Sequence, residues 1–87
     1  MWTLKDPADA PKVKALLDSC KGLVAGIHEF DVGIKTKGLE ANCDVVLVST
    51  FEDAAALAAY VPHPHHQGVV AQIRQMAATR HVLDYLV

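Results

Sequence analysis

The stretch that decides the fold is residues 43–51, CDVVLVSTF, which is apolar at both alternating sets of positions. Its apolar residues are Val45, Leu47 and Phe51 in one set and Val46 and Val48 in the other. Because successive side chains of a strand point to opposite faces of a sheet, this strand presents apolar residues on both faces. A two-layer monomer leaves one sheet face in water and does not suit such a strand. The sequence therefore predicts that a second copy of the chain covers the other face.

The segments on either side of this strand predict the element order β-α-β-β-α-β. Strands are predicted at residues 1–5, 28–35 and 79–87, the second and third by alternation of apolar and polar residues. The first helix follows a cap at Asp9 and ends near Gly22, and Glu52 and Asp53 are predicted to cap a short helix. A break at Pro62 and Pro64 precedes a longer helix. This order predicts a ferredoxin-like α+β fold with a four-stranded antiparallel sheet, and we expect residues 1–87 to form one domain.

The composition excludes several classes of protein. Hydrophobic residues make up 52% of the 87 residues and charged residues 21%, more apolar material than so small a core easily hides, which favours a homodimer. The net charge of −2 and the absence of a cluster of Lys and Arg argue against nucleic-acid binding. Cys20 and Cys43 form no disulfide framework, and no apolar run reaches the length of a membrane span. We therefore expect a soluble, cytoplasmic protein with no membrane partner.

The residues most suited to chemistry lie around the break between the two later helices. His66 precedes Val69 by three positions and Val70 by four, so it shares the inward stripe of its helix with them and with Ile73. Such a histidine is either a core residue bonded to the backbone or a general base with a tuned pKa. Tyr60 ends the helix before the break, where it is either a core aromatic or a second member of the same site. We expect Tyr60 and His66 to converge between the helices and the sheet.

The remaining histidines carry weaker predictions. His63 precedes or caps the helix, and His28 shares the parity of the apolar residues of its strand, so both are candidates to line the pocket. A metal site at His63, His65 and His66 is disfavoured because neighbouring helical residues point about 100° apart. No HExxH or CxxC pattern accompanies them. We therefore expect neither a metal nor a cofactor.

The whole pattern resembles the stress-responsive α/β-barrel (Dabb) domain family. The segments that carry the resemblance are residues 44–53, Leu57, the run Tyr-x-x-His-Pro-x-His from Tyr60 to His66, and residues 82–85. The opening residues 2–6 are similar to the end of that family's first strand, which is usually several residues longer, so we expect a short first strand here. The resemblance implies a ferredoxin-like protomer whose sheet packs against a partner's sheet to form a dimeric α/β barrel.

The family resemblance also implies a function. The family includes plant stress-associated proteins and a polyketide-cyclising enzyme in which a tyrosine and a histidine, at the positions of Tyr60 and His66, serve an aldol-type cyclisation. We expect a homodimer that binds a small apolar molecule beside Val69 and Ile73. In this hypothesis His66 removes a proton from a carbonyl compound and Tyr60 polarises its oxygen. The alternative is a non-catalytic, stress-related or scaffold dimer. A third hypothesis is a related ferredoxin-like monooxygenase, which requires a roomy cavity.

Overall fold

The sheet and helices follow the predicted order along the chain. The computed structural model describes residues 1–86. Its elements are β1 Trp2–Leu4, α1 Ala10–Asp18, β2 Ile27–Ile34, β3 Val45–Phe51, α2 Ala54–Tyr60, α3 Pro64–Met76 and β4 Ala77–Arg80. The strands form one antiparallel sheet in the order β2-β3-β1-β4. This arrangement confirms the predicted ferredoxin-like α+β fold, and β1 is short, as expected.

Side-chain capping differs between the first two helices. Asp9 occupies the position before α1, but its carboxylate makes no capping bond and lies 3.7 Å from the Lys12 ammonium. The Asp6 carboxylate caps the preceding turn by accepting a hydrogen bond from the Ala8 N–H. Asp53 caps α2, as predicted, by accepting a hydrogen bond of 2.9 Å from the Ala56 N–H. α1 ends at Asp18, and turns lead through two glycines of positive φ to β2.

Strand β2 departs from the predicted alternation at its start. The pairing with β3 shifts between Ile27 and Glu29, which inserts one extra residue at His28. Because a one-residue shift reverses the face that a side chain occupies, Ile27 packs against the core while His28 is exposed. The prediction that His28 shares a face with Phe30 was therefore wrong.

Strand β4 is shorter than predicted and begins earlier. It spans Ala77–Arg80, whereas alternation predicted a strand at residues 79–87, of which Val87 lies outside the described residues. Pairing with β1 ends at the two backbone hydrogen bonds of 2.9 Å between Met1 and His81. Residues 82–86 pair with no strand among the described residues. Alternation alone cannot form a strand without a partner for its N–H and C=O groups.

The core lies between one face of the sheet and the helices. Its buried residues are Trp2, Leu4, Ala10, Val13, Leu17, Cys20, Phe30, Val32, Val45, Tyr60, Val69 and Ile73. On the other face of β3, Val46 is half-buried and Val48 is 55% exposed. The described chain thus covers one face of the doubly apolar strand and leaves the other face open.

A buried carboxylate fastens the short strand β1. Asp44 precedes β3, and its Oδ2 accepts a hydrogen bond of 2.8 Å from the Leu4 N–H. Its Oδ1 lies 3.2 Å from the Lys35 ammonium at the end of β2. The Leu4 hydrogen bond, followed by the Lys35 interaction, holds the pKa of the Asp44 carboxyl below its usual value. This side chain replaces ladder hydrogen bonds where β1 is too short to supply them.

Candidate functional site

Tyr60 is the centre of an aromatic cluster at the end of α2. Its side chain is buried, with 5% of its surface exposed. Its ring lies 5.3 Å from the ring of Phe51 and 6.3 Å from that of Phe30, centroid to centroid. These distances are those of tilted and edge-to-face aromatic pairs. The sheet therefore holds the tyrosine ring in one position beneath the helices.

The Tyr60 hydroxyl is buried without a hydrogen-bond partner among residues 1–86. The side chain that influences this hydroxyl is the Cys20 thiol, which is itself fully buried. The Cys20 sulfur lies 3.8 Å from the Leu16 carbonyl oxygen. Sulfur is a weak acceptor, so this neighbour does not replace an oxygen partner. Burial, and then the neighbouring thiol, raise the pKa of the Tyr60 phenol far above its usual value. The hydroxyl therefore remains protonated and available as a donor.

His66 lies on the first turn of α3 with its ring against Tyr60. The two ring centroids are 4.3 Å apart, and the histidine is half-buried. His66 Nδ1 lies 2.8 Å from the Val61 carbonyl oxygen, in the break between α2 and α3. A carbonyl oxygen only accepts, so Nδ1 carries the hydrogen and Nε2 of the neutral ring keeps its lone pair. The break that Pro62 introduces thus fixes the orientation and the tautomer of the histidine.

The other residues singled out from the sequence have different surroundings. His63 is the N-cap of α3, and its Nδ1 accepts a hydrogen bond of 3.1 Å from the His65 N–H. Val69 and Ile73 are core residues, 2% and 3% exposed. His28 is exposed at the bulge of β2. The structure brings Tyr60 and His66 together but does not bring His28 to them.

The three clustered histidines point to three different partners. His63 bonds the backbone of its own helix, and His66 bonds Val61. His65 Nε2 lies 2.8 Å from the Ser19 hydroxyl at the end of α1. Since the Ser19 hydroxyl donates its hydrogen to the Leu16 carbonyl, it accepts from His65. Across residues 1–86, no group of three or more His, Cys, Asp or Glu side chains is arranged to hold a metal ion.

Two of the cavities in the described part of the chain are lined by residues other than Tyr60 and His66. The larger, of about 540 Å³, is an open groove between α1 and α3. Its lining residues are Lys12, Ala15, Leu16, Ser19, Gln72, Gln75 and Met76. The smaller, of about 300 Å³, lies beside Met1, Asn42 and Cys43. The Tyr60 hydroxyl is buried and is not exposed to either of these two cavities.

Sequence reasoning missed the surroundings of Cys20. The helical stripe placed this cysteine inward but predicted only a small apolar core residue. Its neighbour Ser19 and the surface residue His65 were given no role. The hydrogen bond between Ser19 and His65 joins residues 46 positions apart in the chain. Local patterns therefore carry no signal for it. A thiol on the inward stripe of a helix was the single available hint.

Comparison with solved structures shows the fold. A dimeric protein of unknown function and ferredoxin-like fold from Bacteroides fragilis NCTC 9343 is similar, with 19% identity and a TM-score of 0.78 over 97% of this chain and 87% of that one. A dimeric ferredoxin-like protein of unknown function from Thermobifida fusca YX has 21% identity and a TM-score of 0.78, over 91% of this chain and 77% of that one. Comparison with curated proteins gives no match.

The family is shown by sequence. The family model described as the stress responsive A/B barrel domain, Dabb, matches residues 1–87. No helix among residues 1–86 is long and apolar enough to cross a membrane. The match spans the short β1, the Tyr60 to His66 run and the closing segment. The chain belongs to the stress responsive A/B barrel domain family.

Proposed function

We propose that this chain is a homodimeric Dabb protein that binds a small carbonyl compound and removes a proton next to its carbonyl group. The observation that carries the proposal is the buried Tyr60 hydroxyl, which has no hydrogen-bond partner among residues 1–86 and lies on a ring whose centroid is 4.3 Å from that of His66. Leaving a buried donor unpaired costs about 1–3 kcal/mol, so such a group calls for an explanation. A ligand oxygen is the partner that explains it.

His66 is the base in this proposal. Its Nδ1 is fixed by the Val61 carbonyl, which leaves the lone pair of Nε2 to accept a proton. Because that carbonyl accepts the Nδ1 hydrogen in both charge states, it also stabilises the imidazolium that forms. The carbon acid loses its proton to Nε2, and the electron pair moves onto the carbonyl oxygen as an enolate. This is the arrangement that a general base requires.

Tyr60 holds the oxygen of that enolate. Burial raises the pKa of its phenol, so the residue is a donor and not a second base. A hydrogen bond to the developing negative charge is stronger than one to the neutral carbonyl, and this difference lowers the barrier. The aromatic contacts with Phe30 and Phe51 keep the donor in place before the substrate binds.

The dimer follows from the open face of the sheet. Val48 is 55% exposed there although it lies in the middle of a β-strand, and a partner's sheet would cover it. Both structural relatives are described as dimeric, which supports the same assembly here. The free thiols of Cys20 and Cys43 suit a reducing compartment, so we place the dimer in the cytoplasm.

The test is uptake of deuterium by 1-phenylbutane-1,3-dione in D₂O, followed by proton NMR with and without the protein. The wild-type chain should accelerate exchange over buffer, and His66→Gln should abolish most of the acceleration, since a positioned base contributes about 10²–10⁴-fold. Tyr60→Phe should also slow exchange. His28→Gln is the matched control, because His28 is exposed at the bulge and should leave the rate unchanged. Exchange as fast in His66→Gln as in the wild type would refute the assignment.

A second candidate function is a non-catalytic scaffold dimer. The observation that favours it is that neither of the two cavities described above is lined by Tyr60 or His66. In that case the contact of His66 with Val61 is a structural link between α2 and α3. A wild-type protein that leaves the exchange rate of the diketone at its buffer value would support this candidate over the first.

A further inference from the structure

Two neighbouring pairs of residues face each other across the ends of α1 and α3. The first pair, Ser19 and Cys20, directly follows α1, and the second, His65 and His66, lies on α3. The inner members are both neighbours of Tyr60, since the buried Cys20 thiol contributes to the raised pKa of its hydroxyl and the His66 ring lies 4.3 Å from its ring. The outer members bond each other at the surface, with 2.8 Å between the Ser19 hydroxyl and His65 Nε2.

From this arrangement we propose that the hydrogen bond between Ser19 and His65 is a latch that closes the route from solvent to the Tyr60 hydroxyl. The route begins in the open groove of about 540 Å³ between α1 and α3, which Ser19 lines. The next residue along the chain is Cys20, which is fully buried and is the thiol that influences the hydroxyl. When the latch opens, the groove extends to the unpartnered donor.

The groove specifies the class of ligand that would use this route. Its lining includes Ala15, Leu16 and Met76, which suit an apolar body, and the proposed route ends at the Tyr60 hydroxyl, a donor that a hydrogen-bond acceptor would satisfy. A volume of about 540 Å³ is within the range of small-molecule sites. The ligand is therefore a small apolar molecule with an acceptor oxygen at one end, which enters with that oxygen first.

The latch is weak enough to open in the native protein. It is one hydrogen bond between exposed side chains, and such a bond contributes about 0.5–1.5 kcal/mol. On the α1 side it is attached to a turn that contains Gly22, where φ is +74° and a side chain would meet no other group within 4 Å of its Cβ. Local opening of this kind needs far less free energy than global unfolding.

The reactivity of the Cys20 thiol measures the opening directly. In a Cys43→Ser background, Cys20 is the one remaining thiol of the chain, and it is fully buried. The chromogenic disulfide DTNB should therefore react slowly, at a rate proportional to the open population. His65→Ala breaks the latch from the α3 side, and Ser19→Ala breaks it from the α1 side. Each should raise the rate about two- to tenfold, the equivalent of one lost hydrogen bond.

The controls separate the latch from a general loss of stability. The double variant Ser19→Ala with His65→Ala should react no faster than the faster single variant, because both remove the same bond. Ser19→Thr keeps a hydroxyl and should keep the slow rate. Thr50→Val removes an exposed hydrogen bond of 3.2 Å to Glu29 in the sheet and should leave the rate unchanged. Urea denaturation of each variant gives the free energy of unfolding for comparison.

Two results would overturn the latch. One is an unchanged DTNB rate in both single variants. The other is a rate that rises only in proportion to the loss in free energy of unfolding, since global unfolding then exposes the thiol. The inference rests on the proposed ligand site, but its test needs no ligand. A negative result in the thiol assay does not bear on the acid/base roles of Tyr60 and His66. A negative result in the deuterium assay does not bear on the latch.

Discussion

Replacing Tyr60 with phenylalanine should make the protein more stable, not less. The substitution removes one hydroxyl that is buried without a partner among residues 1–86 and leaves the ring contacts with Phe51 and Phe30 in place. An unpaired buried donor costs about 1–3 kcal/mol, and contact with the Cys20 thiol offsets part of this. We therefore expect the free energy of unfolding to rise by about 1 kcal/mol. For a chain of this size that gain corresponds to a Tm increase of about 4–8 °C.

The assay is urea denaturation followed by the fluorescence of Trp2, the single tryptophan, which is 8% exposed in the core. Wild type and variant must be compared at one protein concentration, because dimerisation makes stability depend on concentration. Tyr85→Phe is the matched control, since Tyr85 is 75% exposed and its hydroxyl is free to bond water. It should leave the urea midpoint unchanged.

The opposite result would refute the reasoning. A loss of about 1 kcal/mol in Tyr60→Phe is the value for a satisfied hydrogen bond, and it would mean that the hydroxyl already has a good partner. The proposed enolate role would then lose its main support. A gain in stability together with slower deuterium exchange is the combination expected of a group kept for function at a cost in stability.

Three further predictions concern the fold and the assembly. Gly26→Ala should lower the free energy of unfolding by about 1–3 kcal/mol, because φ is +90° there and a Cβ would lie 2.9 Å from the Cβ of Ala56. Gly68→Ala, in the open on α3, should raise it by about 0.5–1 kcal/mol. Because the pKa of Asp44 is lowered in the folded state, its stabilisation is present above the unfolded pKa and is lost as pH falls below about 4. Asp44→Asn should flatten the dependence of the urea midpoint on acid pH. Val48→Lys should convert a sedimenting dimer into a monomer, because a lysine cannot be buried unpaired between two sheets.

Each of these has a result that contradicts it. Equal urea midpoints for the two glycine variants would contradict the claim that the positive φ at Gly26 disfavours alanine there. A wild-type protein whose stability stays constant down to pH 3 would show that the Asp44 carboxylate contributes nothing specific. A wild-type protein that sediments as a single subunit at micromolar concentration would contradict the proposed packing against a partner's sheet, and therefore the dimeric barrel.

The sequence alone predicts features that depend on neighbours within a few residues. The apolar strand β3, the cap at Asp53 and the break around Pro62 are encoded locally, and the structure confirms each of them. The helical stripe also predicts that His66 points inward, and its ring lies against Tyr60. These features follow from the two periods of backbone geometry and from the conformational limits of proline.

The tertiary structure alone decides the features that depend on distant partners. The bulge that exposes His28 results from how β2 fits β3, and the register of β4 on β1 places its last pair at Trp2 and Arg80. The absence of an oxygen partner for the Tyr60 hydroxyl among residues 1–86, and the bond between Ser19 and His65, require α1 and α3 to be packed together first. Burial, strand register and hydrogen bonds between distant segments are properties of the packed chain, so no local pattern specifies them.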